Sequence, residues 1–392
     1  MTVRVARSLA GVDAAQWNAL AGDGEPFLRH EFLLALEESG CATPETGWDA
    51  HHLLHVDQSG ALDGAMPLYL KSHSWGEFVF DFAWAEAFHR AGQRYYPRLV
   101  SAVPFTPATG PRLLARSSAV RDELIAAARG LARDLGVSSL HVLFPAAADQ
   151  ESLAAAGLMR RLDCQFHWRA DGSRDFDEWL GSFASEKRKK VRRERRRVAE
   201  SGLQCRRMTG AELDPPAVEA VYRLHAMTFA RYGNAPYLNA GFFDRLARTM
   251  PEAMVVELAE LGGEPVACAV SLRSAGTLFG RYWGAAGEFH SLHFELCYYR
   301  GIEYCLREGL GRFEPGTQGE HKLLRGFMPT PVWSLHEIVD PRFSAPIGAW
   351  LARERRRRRQ WLAQALRHLP FRRGDGPARL PADVRDCLAA ED

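Results

Sequence analysis

Between Glu314 and Arg325 the sequence sets Glu314, Thr317, Gln318, Glu320, His321, Lys322 and Arg325 within twelve positions. Glu314, Glu320 and His321 are candidate proton acceptors, with pKa values that ordinary surroundings can bring near neutrality. Lys322 and Arg325 are cations suited to holding phosphate or a developing negative charge. Gly316, Gly319 and Gly326 punctuate the run and let its backbone approach another molecule closely. So many titratable groups on a flexible stretch just past a short strand mark the edge of a binding or catalytic site. A metal reading also presents itself, through His290, His293 and Glu295 with His336 as a further ligand. Their spacing matches no zinc pattern, and hydrogen-bonded histidines explain them better, so no metal is expected.

The elements that must position this run can be read upstream. Phe294, Cys297, Tyr298, Gly301, Ile302, Cys305 and Leu306 recur at three and four, one face of an α-helix. Gly309 and Gly311 suit its C-terminus, and Phe313 reads as a brief strand. The two runs AMVVELAEL and PVACAVSLRS form a hairpin across Gly262-Gly263, and TLFGRYWGA is the strand before the helix. A helix over 176–200 comes earlier, followed by the strand LQCRRM and a helical stretch 216–250 broken near 233–236. PVWSLHEIV (331–339) closes this half as its last strand.

The preceding residues repeat the order. The pattern predicts a helix over 17–39, strands at 51–57 and 64–73, and an aromatic strand within 75–88. A proline-broken strand over 99–114, a helix over 117–135, a strand at 137–145, a short helix and a strand at 165–170 follow. Each half runs helix, strand, hairpin, strand, helix, strand, strand. The expected division is therefore 1–172, 173–345 and a C-terminal segment 346–392 made of a basic helix and a mobile tail.

At 392 residues two domains are the expectation, and a 46% apolar, 25% charged composition is that of a water-soluble globular protein. No apolar run approaches a membrane span, and the N-terminus lacks a signal-peptide core. Seven cysteines without paired spacing read as small buried hydrophobes in a reducing, cytoplasmic compartment. The net charge is only +2, yet EKRKKVRRERRR (186–197) holds a local +7 and 353–373 a local +8. Two concentrated basic segments on an otherwise acidic chain point to a polyanionic partner. Lys187, Lys189, Lys190, Arg188, Arg192, Arg193 and Arg196 are the candidate phosphate contacts. In the second segment Trp361, Leu362, Leu366 and Leu369 make an amphipathic basic helix suited to RNA or to an anionic membrane surface.

The repeated order, with VPFTPATGPRLL, KRKKVRRERRRV, HFELCYYRGIEYCLREGL and FEPGTQGEHKLLRGFMP, resembles a bacterial family of FemAB-like N-acyltransferases. These are related to the FemABX aminoacyltransferases and to the GNAT superfamily. The resemblance implies an α/β fold of mixed sheets in two tandem GNAT-like domains. It implies acyl transfer to an amine, with oxyanion donors near Tyr282, Trp283 and Gly284. Lys322 in HKLLRGF is similar to a FemABX lysine that stabilises charge on the reacting ester, although His321 and the spacing to Gly326 depart from that motif. Arg281, Tyr282, Trp283, Gln318 and Arg325 would contact the donor side. Thr106, Thr109 and Arg112 would hydrogen-bond an acceptor.

Arg281, Gly284 and Gly287 are a loose echo of the loop that holds the pyrophosphate of CoA. The expected donor is accordingly aminoacyl-tRNA, with no tightly bound cofactor, and the acceptor a small-molecule, cell-wall-precursor or lipid-linked amine. A second reading is an acyl-CoA-dependent N-acyltransferase. A third is a non-catalytic RNA- or membrane-binding protein on the same scaffold, for which Glu320, His321 and Lys322 would not matter.

Overall fold

Continuous apolar runs that include β-branched residues make MVVELAEL and EPVACAVSLR strands, largely buried along their length, and the positive φ of Gly262 and Gly263 turns one into the other. The computed structural model describes residues 2–317, 319–372 and 380–390. It divides into two units, the first formed by residues up to 163 with 332–358, the second by 164–331 with residues from 359 onward.

In the first unit Thr2–Ala6, His52–Val56, Leu62–Met66 and Leu114–Ala115 form a four-stranded antiparallel sheet. A second sheet orders residues 332–338, Ser139–Leu143, Arg98–Ser101, Tyr69–Lys71 and Trp48–Ala50, with 98–101 and 139–143 parallel. The helix Ser118–Asp134 buries Val120, Leu124, Ile125 and Ala128 against Leu53, Met66 and Leu99. The residues expected to close the second half instead pair with the first unit: Ser334 stands opposite Leu143 and Ile338 opposite Ser139. Strand patterning fixes which face is buried but not which distant strand is the neighbour, and here the partner lies almost 200 residues upstream.

Other differences have local causes. The helix expected over 17–39 is two, Ala14–Ala21 and His30–Glu38, because Gly22 takes a positive φ and Pro26 opens a short turn. The aromatic segment after Trp75 is a loop and then a helix, Phe82–Arg90, not a strand. The tail beyond Gly374 was expected to be mobile; residues 373–379, 391 and 392 lie outside the described residues, while Ala382–Ala389 is a helix that buries Val384 and Cys387. In the long helix Pro341–Leu366 the apolar face is occupied, for Leu362 is fully buried and Trp361 meets Phe166 edge-on at 6.2 Å. That face is not open to a membrane.

The second unit carries a sheet ordered Gln204–Thr209, Met254–Leu261, Glu264–Arg273, Thr277–Ala285, Arg312–Glu314 and the end of Met159–Arg169. Every pair is antiparallel except 277–279 with 312–314. The helix Pro215–Arg231 lies so close to the central strand that a methyl group on Gly284 would stand 2.1 Å from the Leu224 carbonyl oxygen. Gly301 likewise lets the helix at Arg300–Glu308 rest on Phe313. Gly309 ends that helix with φ 68°.

Gly284→Val is expected to destabilise the protein by about 3 kcal/mol in urea unfolding, because backbone cannot yield as a side chain can. An unchanged unfolding midpoint would contradict this packing.

Candidate active site

The central strand Thr277–Ala285 is interrupted where it matters. Ser271 faces Gly280 and Val270 faces Tyr282, so Arg281 is an extra residue, a bulge. On its other side the strand pairs with Arg312–Glu314 only as far as Phe279 and Glu314. Beyond that point Pro315, Gly316 and Thr317 continue on the far side of a cavity of about 510 Å³. Gly280, Arg281, Tyr282 and Trp283 form one wall, and His293, Cys297 and Tyr298 of the following helix form the floor. Gly319, His321 and Lys322 close it, with Tyr232 at the rim.

Lys322 sits on a short 3-10 helix, Glu320–Arg325, framed by Gly319 and Gly326 with positive φ. Its side chain is 2% exposed, and Nζ donates to the Gly316 carbonyl at 2.8 Å. Burial lowers its pKa from the ordinary 10.5 to about 7, and the nearby Arg281 pushes the same way. His321 Nε2 lies 2.8 Å from the Tyr298 hydroxyl. Burial, then Arg325 and Lys322, hold the His321 pKa below its usual range, while burial raises the Tyr298 phenol. Burial also raises the Cys297 thiol, so this wall offers no thiolate nucleophile.

The other expected residues fall in distinct places. Glu314 is buried behind the cavity, 3.2 Å from Arg312, 3.9 Å from His167 and 4.0 Å from Arg281. Glu320 is exposed and does not line the cavity. Gln318 lies outside the described residues. Arg325 is consumed internally: it donates to Glu194 at 2.8 Å, to the Tyr299 hydroxyl at 3.0 Å and to the His321 carbonyl at 2.9 Å. It therefore braces the turn and is not presented to a ligand.

The first unit contains Thr106, whose hydroxyl donates to the Pro104 carbonyl, and the half-buried Thr109. Arg112 is fully buried there and donates to the carbonyls of Leu143, Ala108 and Pro111. Its guanidinium holds that loop in shape.

The basic run forms the helix Ser185–Ala199, separate from Phe176–Gly181 and joined to it by residues 182–184. Val191, Glu194 and Val198 face inward at helical spacing. Arg195 is taken by Glu295 at 3.0 Å and Glu303 at 2.6 Å, and Arg188 reaches the Gly181 and Phe183 carbonyls. Lys189, Lys190, Arg192, Arg193 and Arg196 are exposed, and Lys187 is half-buried. Arg192 lies 3.9 Å from Asp177 and Arg196 3.9 Å from Glu200.

Of the residues weighed against a metal site, Glu295 is held by Arg195, and His293 packs edge-on against Trp283 at 5.1 Å. His336 faces His141 in the first unit. Among the described residues no cluster of three His, Cys, Asp or Glu side chains is placed to hold a metal.

Two groups that the sequence does not single out stand at the cavity or brace its turn. Tyr298 was counted only as an apolar helix position, and Glu194 only as a minority charge in a cationic run. A lone acid at the inward period of an amphipathic helix is the signal that could have marked Glu194.

The low pKa of Lys322 carries a sign. Below pH 7 the buried ammonium exists in the folded protein and its desolvation cost is fully present. As pH rises from about 7 to 10.5 the unfolded chain binds the extra proton, so stability rises with pH across that window. Lys322 is one of five lysines, so its ε-nitrogen resonance can be assigned by its loss in Lys322→Arg. Its titration midpoint is expected near 7; a midpoint near 10 would contradict the burial described.

The crystal structure of FemX superposes with a TM-score of 0.54 at 12% identity, covering 89% of this chain and 100% of that one. The C-terminal domain of a protein from Agrobacterium fabrum assigned as a lysylphosphatidylglycerol synthetase gives 0.51 at 12% identity, covering 86% and 95%. L-PGS from Bacillus licheniformis gives 0.50 at 11%, covering 85% and 98%. These likenesses concern the fold, an α/β arrangement of mixed sheets. No curated protein matches the chain. Residues 8–373 match the FemAB-like family model, described as peptidoglycan biosynthesis/recognition, and the chain accordingly belongs to the FemAB-like family and is a transferase.

Proposed function

We propose that the second unit transfers an amino acid from aminoacyl-tRNA to the amine of a small-molecule, cell-wall-precursor or lipid-linked acceptor. The observation that carries this reading is Lys322, buried in the cavity with a pKa of about 7 on the same turn whose Arg325 grips the basic helix. The ester carbonyl of the donor would sit between the bulge at Arg281 and Lys322. The acceptor nitrogen attacks that carbon, and the Lys322 ammonium stabilises the developing oxyanion. His321, held neutral, takes the proton from the attacking nitrogen, and its Tyr298 partner lets it be passed on. The carbon–oxygen ester bond then breaks and the ribose hydroxyl leaves with a proton. One amide bond has formed and one ester bond has been lost. Lys189, Lys190 and Arg193 are proposed to meet the tRNA backbone outside the cavity.

An acyl-CoA donor is disfavoured by the start of the site helix. The amide of Leu292 donates to the Phe289 carbonyl, and those of Phe294 and Glu295 both donate to the Ser291 carbonyl. Amides already engaged in this way are poorly placed to cradle a pyrophosphate. Glu314 is proposed to orient Arg281 and His167 rather than to act as the base, and Glu320 has no role in transfer.

With a charged-tRNA donor, Lys322→Met should lower kcat/KM by roughly a hundredfold or more, as losing one oxyanion donor does. The pH profile should be bell-shaped, its acid limb below the ordinary histidine range and its alkaline limb near 7. In Lys322→Arg the alkaline limb should disappear. Transfer that proceeds from acyl-CoA after ribonuclease treatment would overturn the donor assignment. Full activity in Lys322→Met would overturn the mechanism and favour a non-catalytic role.

A further inference from the structure

Three of the large apolar side chains on the protein surface fall within eight residues of the first unit: Trp75 is 67% exposed, Phe80 52% and Phe82 50%. They touch one another, Trp75 with Phe82 at 6.4 Å and Phe80 stacked on Phe82 at 6.0 Å, so they form one patch. Nothing in the proposed acyl transfer uses them.

The loop that carries them is fixed from below. Lys71 Nζ donates to the Trp75 carbonyl at 3.3 Å and lies 3.7 Å over the Trp48 ring. Ser74 donates to Asp81 at 2.6 Å, and Tyr95 donates to the same carboxylate at 2.5 Å. Arg98 pairs with Glu77 at 2.6 Å and Asp81 at 2.9 Å. Gly76, at φ +82°, packs on Phe105 so closely that a methyl group there would stand 2.6 Å from its ring. Burying four charged groups in this way is costly. What the network achieves is a rigid loop with three apolar rings held outward.

The helix Pro341–Leu366, rich in arginine, lies next to this loop. Arg161 donates to the Phe80 carbonyl at 2.9 Å and to Glu354 of the helix Pro341–Leu366 at 2.9 and 3.0 Å. Its guanidinium lies 5.3 Å from both the Trp84 and Trp350 rings. That helix therefore runs beside the patch, and its Arg353, Arg356 and Arg357 are exposed. Acidic groups near this helix have cationic partners: Glu354 pairs with Arg161, Asp163 with Arg358 at 3.3 Å and Glu86 with Arg90 at 3.6 Å.

We infer that Trp75, Phe80 and Phe82, flanked by Arg353, Arg356 and Arg357, form a docking surface for an anionic lipid bilayer. Aromatic rings presented from a rigid loop insert at the headgroup boundary without an ordering cost, and the arginines meet lipid phosphates. The two phenylalanines have no polar atom, so burying them among acyl chains leaves no donor or acceptor without a partner. Phe80 and Phe82 also cover part of each other's faces, which a stacking base would need, and this favours lipid over nucleic acid. The surface lies on the first unit and does not depend on what the second unit catalyses.

The test is sedimentation of the whole protein with vesicles of phosphatidylcholine containing about one third phosphatidylglycerol, and with phosphatidylcholine alone. Binding should require the anionic lipid and fall as salt rises. The triple variant Trp75→Ser, Phe80→Ser, Phe82→Ser should bind roughly tenfold more weakly or less while melting as the wild type does. Arg356→Glu with Arg357→Glu should weaken binding comparably and reduce its salt dependence. If the triple variant melts lower, Trp75→Ser alone decides by the same assay. The inference is overturned if the wild type ignores anionic vesicles or if the serine variants bind them equally. It is also overturned if these residues instead govern self-association by light scattering or binding to RNA.

Discussion

The buried pairing of Glu194 with Arg325 is the constraint on which the site depends. Glu194 comes from a helix that is otherwise a row of cations; Arg325 comes from the turn that carries Lys322. The Tyr299 hydroxyl donates to Glu194 and accepts from Arg325, so both charges keep hydrogen-bonding partners after leaving water. The Arg325 guanidinium also lies 3.4 Å from the Phe294 ring centre. Removing one member of such a pair costs about 3–5 kcal/mol, because the other stays buried and uncompensated. The cost of the arrangement is offset by geometry. One ion pair fixes the basic helix and the turn that carries Lys322 on the same frame.

Lys322 shows how that frame alters chemistry. Among solvent-exposed lysines the ammonium is fully populated at neutral pH; here burial brings the two forms near balance. Gly319 and Gly326 allow the turn to fold this tightly, and a methyl group on Gly326 would come within 2.8 Å of the Phe183 and Trp179 rings. The glycines first read as permitting close approach of a ligand thus also serve an internal purpose. They let the turn settle onto the aromatic core of its own unit.

Much of the site could be read from residue order because its determinants are local. The helix period from Phe294 to Leu306, the stop at Gly309 and the strand at Phe313 follow from spacing and backbone freedom. The grouping of His321 and Lys322 with Arg281, Tyr282 and Trp283, which line one cavity, is instead what the family resemblance implies, since the two stretches are distant in sequence. What was not legible depends on contacts distant in sequence. Whether Arg112 and Arg325 meet ligand or protein is decided by the carbonyls and carboxylate around them, not by their own neighbours in the chain. The same holds for the strand over residues 332–338, whose partner strand lies in the other half of the sequence. The aromatic stretch after Trp75 misled for another reason. Alternation in a loop pinned by buried charges looks like alternation in a strand.

The claim at the centre of this account is that the Glu194–Arg325 clamp sets the ionisation of Lys322. The most direct measurement is the ε-nitrogen titration of Lys322 in Glu194→Gln, which keeps the side-chain volume and removes the charge. With the clamp loosened the turn should admit water, and the midpoint should move upward from about 7 toward the ordinary lysine value of 10.5. A midpoint that stays near 7 in a folded Glu194→Gln protein would show that the clamp does not control the site.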